Sequence, residues 1–248
     1  VERLRATLSS RTFEPLPLNI GSATDAYQPA ERRLRITRGL IEVLAEFRHA
    51  FSIITKSSGV ERDIDLLAPL ARDNLVAVYV SVPTLDGTLA RIMEPRAASP
   101  ERRMKTIETL SKAGIPVGVS VSPMIPFINE PELERVLERA QAAGATSAFA
   151  TVLRLPWEVN PLFQQWLTTH FPERASRVMA RVHEMRGGRD NDPRFQTRMS
   201  GQGVWAELLS QRFKKATQRL GLRTERRPLD LSAFRREVSK QGAQQSLF

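Results

Sequence analysis

Residues 76–82 read VAVYVSV, an apolar run broken only by Ser81. A strand with one wet face alternates apolar and polar residues. A run apolar at nearly every position marks a strand covered on both faces, as in parallel sheets. Upstream, residues 60–71 read as a helix with Leu66, Leu67 and Leu70 on one side, and residues 51–55 (FSIIT) as a strand. Residues 31–47 read as one helix with Pro29 just before it. Its apolar face is Leu34, Ile36, Leu40, Ile41, Val43, Leu44 and Phe47. Residues 16–23 are a short strand. Downstream, residues 99–113 form a helix, with Pro100 in its first turn and Gly114 as its stop. Strand 117–121 (VGVSV), helix 132–143 before Gly144 and strand 147–153 (SAFATVL) follow.

The order βαβαβαβαβ with short connections predicts an α/β fold with a parallel sheet and right-handed crossovers. Five strands do not close an eight-stranded barrel, so a partial TIM-like barrel is expected over residues 1–155. A helical C-terminal extension over 156–220 follows, with helices at 157–171, 173–185 and 204–220 and a Gly- and Arg-rich loop at 186–203. Residues 221–248 mix Pro, Arg, Gln and Ser and read as a basic, disordered tail.

The chain has 248 residues, no cysteine and a net charge of +10. Disulfides, zinc–thiolate sites and thiol catalysis are therefore excluded within it. No apolar run approaches the roughly 18 residues that a membrane span needs. No signal peptide is visible, because the start, VERLRATLSSR, is charged, and a cytoplasmic location is the default expectation. The chain opens on Val1 inside an amphipathic helical pattern (Val1, Leu4, Leu8), from which missing upstream sequence is expected. The charge invites a nucleic-acid partner. Against that, only six of the 37 basic residues are Lys, and they are spread along the chain, densest at Arg219, Arg223, Arg226, Arg227, Arg235 and Arg236.

Parallel α/β folds place function at the C-terminal ends of strands. Those ends carry Ser22, Thr24 and Asp25; Thr55, Lys56 and Ser57; Ser81 and Thr84; Ser122, Pro123 and Pro126; and Arg154. A single Ser or Thr there more often caps a turn than binds a ligand. Lys56, directly after the buried run FSIIT, suits a carboxylate or phosphate partner. His49, His170 and His183 lack metal-ligand spacing and read as surface or helix-end residues. Trp157, Trp166 and Trp205 read as packing residues. Gly187 and Gly188 form either an anion nest or a turn whose Arg186 and Arg189 pair with Asp190 and Asp192. Dinucleotide and P-loop signatures are absent.

Several stretches together resemble the radical S-adenosylmethionine (SAM) superfamily, in the branch related to spore photoproduct lyase. They are LNIGSATDAYQPAERRLRITR (18–38), SIITKS, MEPRAASPERR (93–103) and GIPVGVSVSPMIPFIN (114–129). RLPWEVNPLFQQWL and MRGGRDNDPRFQTRMSGQGVWAELL (185–209) resemble that branch's C-terminal extension. The resemblance runs from residue 1 to about 220. It implies a partial (β/α)6 barrel, here lacking its first strand, with S-adenosylmethionine across the strand ends. Lys56 would hold the cofactor's carboxylate, and Ser22 and Ser81 would contact its methionine and ribose. Residues 121–126, including Pro123, would flank adenine, and the backbone at Leu153 and Arg154 would meet its edge. Thr24 and Asp25 would complete the cofactor site. Tyr27, Gln28, Arg96 and Asn129 would be substrate-side residues, with Arg96 alternatively paired to Glu94.

The resemblance further implies a [4Fe-4S] cluster on a CxxxCxxC loop, an electron donor, reductive cleavage of S-adenosylmethionine and hydrogen abstraction from a substrate. The cluster ligands are absent here, so this piece alone is expected to be an inactive fragment with no metal ligand of its own. Two rivals stand beside this reading. One is a non-catalytic basic nucleic-acid-binding domain on a degenerate barrel. The other is a different α/β-barrel enzyme using Lys56 and Asp25 for acid/base or phosphate chemistry.

Overall fold

The computed structural model describes residues 1–195 and 197–236. Its centre is a five-stranded parallel sheet in the order β1-β2-β3-β4-β5. The strands are β1 (Leu18–Ile20), β2 (Phe51–Thr55), β3 (Val76–Ser81), β4 (Val117–Met124) and β5 (Ser147–Val152). Each crossover adds the next strand beside the last. This sequential order is that of an arc of a TIM-like barrel, not of a doubly wound sheet.

β3 is buried at every position, as VAVYVSV predicts. β2 instead alternates, with Phe51, Ile53 and Thr55 buried and Ser52 and Ile54 half-buried. One face of the sheet packs on helices. The other meets small side chains and the tilted pair Tyr79 and Phe149, whose ring centroids are 5.4 Å apart. Gly118 is needed there, because a Cβ on it would stand 2.6 Å from the Tyr79 ring.

The helices begin with α1 (Glu2–Ser9). The expected 31–47 helix is split into α2 (Glu31–Leu34) and α3 (Ile36–Glu46). Arg35 between them is left-handed (φ 50°). The break is a tertiary effect: Glu31 Oε1 accepts from the backbone N–H of Thr37 at 3.0 Å and is held by Arg62 Nη2 at 3.0 Å. Residues 60–71 divide into a 3₁₀ turn (Ser58–Asp63) and α4 (Ile64–Arg72). A helix absent from the expectation, α5 (Gly87–Met93), is capped by Asp86, which accepts from Thr88 N and Leu89 N. In α6 (Pro100–Lys112), capped by Ser99, residues Met104, Ile107 and Leu110 face the core. α7 (Leu133–Ala142) buries Leu133, Val136, Leu137 and Ala140.

β4 runs three residues further than expected, with a register shift between Val121 and Met124 and a cis Ser122–Pro123 peptide. Beyond β5 lie α8 (Val159–His170), α9 (Pro172–Met185) and α10 (Gly203–Leu220). α10 is tied to α7 by Arg212 on Glu134 and Arg219 on Glu138, and to the 3₁₀ turn before α7 (Glu130–Glu132) by Arg212 on Glu130. The free edge of β5 is covered at both ends. Ala148 N donates to Arg223 O at 2.8 Å and Val152 N donates to Met199 O at 3.0 Å.

Three sequence expectations need correction. Residues 221–236 are seated on the body: Leu222 is buried, and Phe234 packs against Phe13, Phe47 and His49. The part of the expected tail at 237–248 lies outside the described residues. His49 is fully buried, and burial pushes its pKa down. Trp157 is 87% exposed and lies outside the core, whereas Trp166 and Trp205 are partly buried against it as expected. Among the described residues no helix is long and apolar enough to cross a membrane.

Candidate functional site

A cleft of about 490 Å³ opens at the C-terminal ends of the strands. Ser22, Thr24, Asp25, Lys56, Ser81, Pro123 and Arg154, from five separate loops and strand ends, all line it. The loop after β1 reaches it because Gly21 (φ 90°) passes so close to β2 that a Cβ would lie 2.1 Å from Ile54 O. Asp25 then staples the loop down. Its Oδ1 accepts from Tyr27 N and Thr55 Oγ1, both at 2.8 Å, and its Oδ2 accepts from Lys56 N at 2.7 Å. Thr24 Oγ1 accepts from Gln28 Nε2 at 2.6 Å. Ser81 Oγ donates weakly to Ser122 O at 3.3 Å, and Ser22 Oγ to Asn19 O at 3.4 Å. Both hydroxyls therefore retain hydrogen-bonding capacity toward the cleft.

Lys56 is not a free cation. Its Nζ lies 2.7 Å from Glu94 Oε1. Glu94 Oε2 is gripped at 2.6 Å by Arg103, which is 1% exposed and also donates to Ser81 O and Ala98 O. Arg154, at the end of β5, has no carboxylate within ion-pair distance among the described residues. Its Nε is buried without a partner.

The four substrate-side candidates do not line the cleft. Tyr27 is buried, and its hydroxyl donates to Asp63 Oδ2 at 3.0 Å. Burial, with the Asp63 charge beside it, pushes that hydroxyl far above its usual pKa, so it serves as a fixed donor. Asp63 also receives Arg38 and Arg62, so Tyr27 is an anchor of the loop. Gln28 is bonded back to Thr24. Asn129 is fully buried, donating to Pro83 O and Pro123 O and accepting from Ile125 N, which fixes the turn after β4. Arg96 is exposed, and Glu94 is taken by Lys56 and Arg103 instead. The Gly187–Gly188 turn is present (φ 64° and 80°), but its expected pairs are not. Asp190 is bonded to His183 and Asn160, and Asp192 to Arg194.

Sequence reasoning missed Ser120, Thr151, Val159 and Met199 as lining residues. Ser120 had a signal, since alternate residues of a strand share a face and Ser120 precedes Ser122 by two. Met199 arrives from the 186–203 loop and had none.

Comparison with known proteins gives the geometry its context. The Radical SAM superfamily model matches residues 18–140, the span from β1 into α7. The chain belongs to the radical SAM superfamily. An uncharacterized protein of Mycobacterium tuberculosis is 32% identical over 176 residues, 70% of this chain and 52% of that protein. One of Methanocaldococcus jannaschii is 32% identical over 157 residues, 62% and 56% of the two chains. The chain thus spans about half the length of the curated relatives it matches. Among solved structures, a mutant spore photoproduct lyase with dinucleoside spore photoproduct matches with a TM-score of 0.61 at 13% identity. That match covers 90% of this chain and 64% of the other. At that identity the likeness speaks for the fold, a partial TIM-like barrel. The radical SAM region of this chain thus includes every cofactor candidate except Arg154.

Proposed function

We propose that this chain supplies the S-adenosylmethionine cleft of a radical SAM enzyme. The observation that carries the reading is the meeting of Ser22, Lys56, Ser81, Pro123 and Arg154 in one cleft at the strand ends. The residues fit the cofactor. Hydroxyls with spare capacity suit its ribose and amino-acid groups, Pro123 suits its base, and the volume suits one small molecule. The backbone of Arg154 makes no hydrogen bond among the described residues, leaving its N–H and C=O for the edge of the base. When bound, and given one electron by a reduced iron–sulfur centre that this chain does not itself hold, the sulfonium cofactor would supply the chemistry that removes a hydrogen atom from a substrate. The protein's part is to orient it and exclude water. The Asp25 staple fixes the loop that bears Ser22, and the Glu94–Arg103 pair fixes Lys56.

A [4Fe-4S] cluster does not fit the donors present. The chain has no thiolate, and the described residues contain no group of three His, Cys, Asp or Glu able to hold a metal. We assign the cluster ligands, and the docking of an electron donor, to polypeptide outside these 248 residues. Equilibrium dialysis tests the reading. Labelled S-adenosylmethionine should bind saturably and be competed by S-adenosylhomocysteine, and a Ser22→Ala/Ser81→Ala double variant should bind it more weakly. Iron and sulfide should give no stable cluster absorption with this chain. Failure to bind the cofactor would refute the cleft assignment, and a stable chromophore would refute the placement of the ligands.

A second reading, a nucleic-acid-binding role, draws on the charge of +10. That excess is what 27 acidic residues leave of 37 basic ones, and arginines such as Arg102 and Arg212 are already held by Glu61 and Glu134, so they are not free for phosphates. DNA affinity that falls steeply with salt and ignores S-adenosylmethionine would favour it.

A further inference from the structure

The charged groups lining the cleft differ in what remains for a ligand. Asp25 already accepts from Tyr27 N, Thr55 Oγ1 and Lys56 N. Lys56 is paired with Glu94, which is itself held by buried Arg103. Among the described residues, Arg154 alone of the lining ions has no ion-pair partner and no hydrogen bond to oxygen. Its Nε is buried with no partner, and its Nη1 reaches only the Met199 thioether at 3.9 Å. The Nε atoms of Arg181, Arg186 and Arg198 are unmet in the same way, so what sets Arg154 apart is that its always-charged guanidinium lines the cleft with no carboxylate beside it among the described residues.

A second guanidinium stands behind it. Arg186 is 1% exposed and gives its Nη donors to the carbonyls of Leu153, Thr197 and Arg198, while its Nε is buried without a partner among the described residues. Burial pushes its pKa down, Asp192 opposes this, and the nearby Arg154 charge adds to it. The β5 end of the cleft is therefore electropositive by construction. Its shoulder is apolar: Val159 and Met199 line the cleft beside Arg154, and both are partly exposed.

We infer that Arg154 is the oxyanion-binding residue of this cleft, receiving a carboxylate or phosphate whose adjoining apolar part rests on Val159 and Met199. The oxyanion has two sources, the substrate or the amino-acid carboxylate of S-adenosylmethionine. Only the second source rests on the function proposed above. Arg154 is the specificity-bearing cation, and Lys56 is a positioning residue that fixes Glu94 and the segment after α5.

Isothermal titration of the 248-residue chain with phenyl phosphate, S-adenosylmethionine and decarboxylated S-adenosylmethionine tests this. Loss of about tenfold or more in phenyl phosphate affinity in Arg154→Gln supports the inference and assigns the oxyanion to the substrate. A similar loss for S-adenosylmethionine, with none for its decarboxylated form, supports it and assigns the oxyanion to the cofactor. Arg154→Lys should recover part of either loss and keep the native melting temperature, which separates charge from folding. Affinities within twofold of wild type in Arg154→Gln overturn the inference. So does a loss carried instead by Lys56→Met, or no binding of any probe. Phenyl phosphate binding through Arg154 without S-adenosylmethionine binding would sink the cofactor reading alone. Binding of S-adenosylmethionine with both it and phenyl phosphate indifferent to Arg154→Gln would sink this inference alone.

Discussion

On the β1–β3 side of the cleft the charged lining residues have charged or backbone partners, whereas on the β5 side Arg154 has no carboxylate partner among the described residues. Asp25, Lys56, Glu94 and Arg103 form a chain of short contacts that ties the loop after β1 to the segment after α5. Arg154 and Arg186 meet carbonyls and a thioether instead of carboxylates. A satisfied cluster stiffens a wall. An unsatisfied cation is tolerated only where something else completes it, or where exposure keeps its cost low. The first wall thus reads as scaffold and the second as recognition.

The largest effect should come from breaking the scaffold at Glu94. Its loss leaves Arg103 buried without its carboxylate, at a cost of about 3–5 kcal/mol. Glu94→Ala should therefore lower the urea midpoint strongly. It should also free Lys56. In the Glu94→Ala/Arg154→Gln double variant, if folded, phenyl phosphate binding should return on the opposite wall. Titration that finds no returned binding would show that the two walls differ by more than pairing.

The two walls also differ in how far the sequence discloses them. Strand order and the strand-end positions of Ser22, Lys56 and Ser81 follow from periodicity, because an apolar run of strand length and a helical period are local signals. The pairing is not local. Glu94 meets Arg103 only because α6 turns Arg103 under the end of β3, and no spacing announces that, so Arg96 looked as good a partner. The kink at Arg35 is likewise made by Glu31 and Arg62, residues from different elements, inside a continuous apolar pattern. α5 had a legible signal in its Asp86 cap, since Asp86-Gly87-Thr88 is a helix start. Lys56 appeared the natural anion holder because it follows a buried strand. What the sequence does not carry is that its charge is spoken for while that of Arg154 is not.

A smaller effect is expected at Arg186. Arg186→Met keeps much of the volume but strips hydrogen bonds from the carbonyls of Leu153, Thr197 and Arg198. The cost should be about 2–4 kcal/mol, reduced by relief of burying a charge. The loss should concentrate on the 186–203 loop. Amide exchange should quicken at Val152, whose N–H is bonded to Met199 O, while Lys56, whose N–H is bonded to Asp25, stays protected. Equal loss of protection on both walls would mean that they fold as one unit and that the contrast is only electrostatic.

The smallest effect should be at Lys56. Its side chain is 42% exposed, and its ion pair with Glu94 faces solvent that screens it. Glu94 keeps Arg103 when Lys56 is removed, so no buried charge is stranded. Lys56→Met should thus cost under about 1 kcal/mol and should barely move the melting curve. Its phenyl phosphate affinity should stay within about twofold of wild type, because the ammonium it removes was already matched by a carboxylate. The same substitution on a free cation would behave as Arg154→Gln is expected to behave. The pair of titrations therefore measures the difference between a charge that holds the wall in place and a charge that the wall holds out to a ligand.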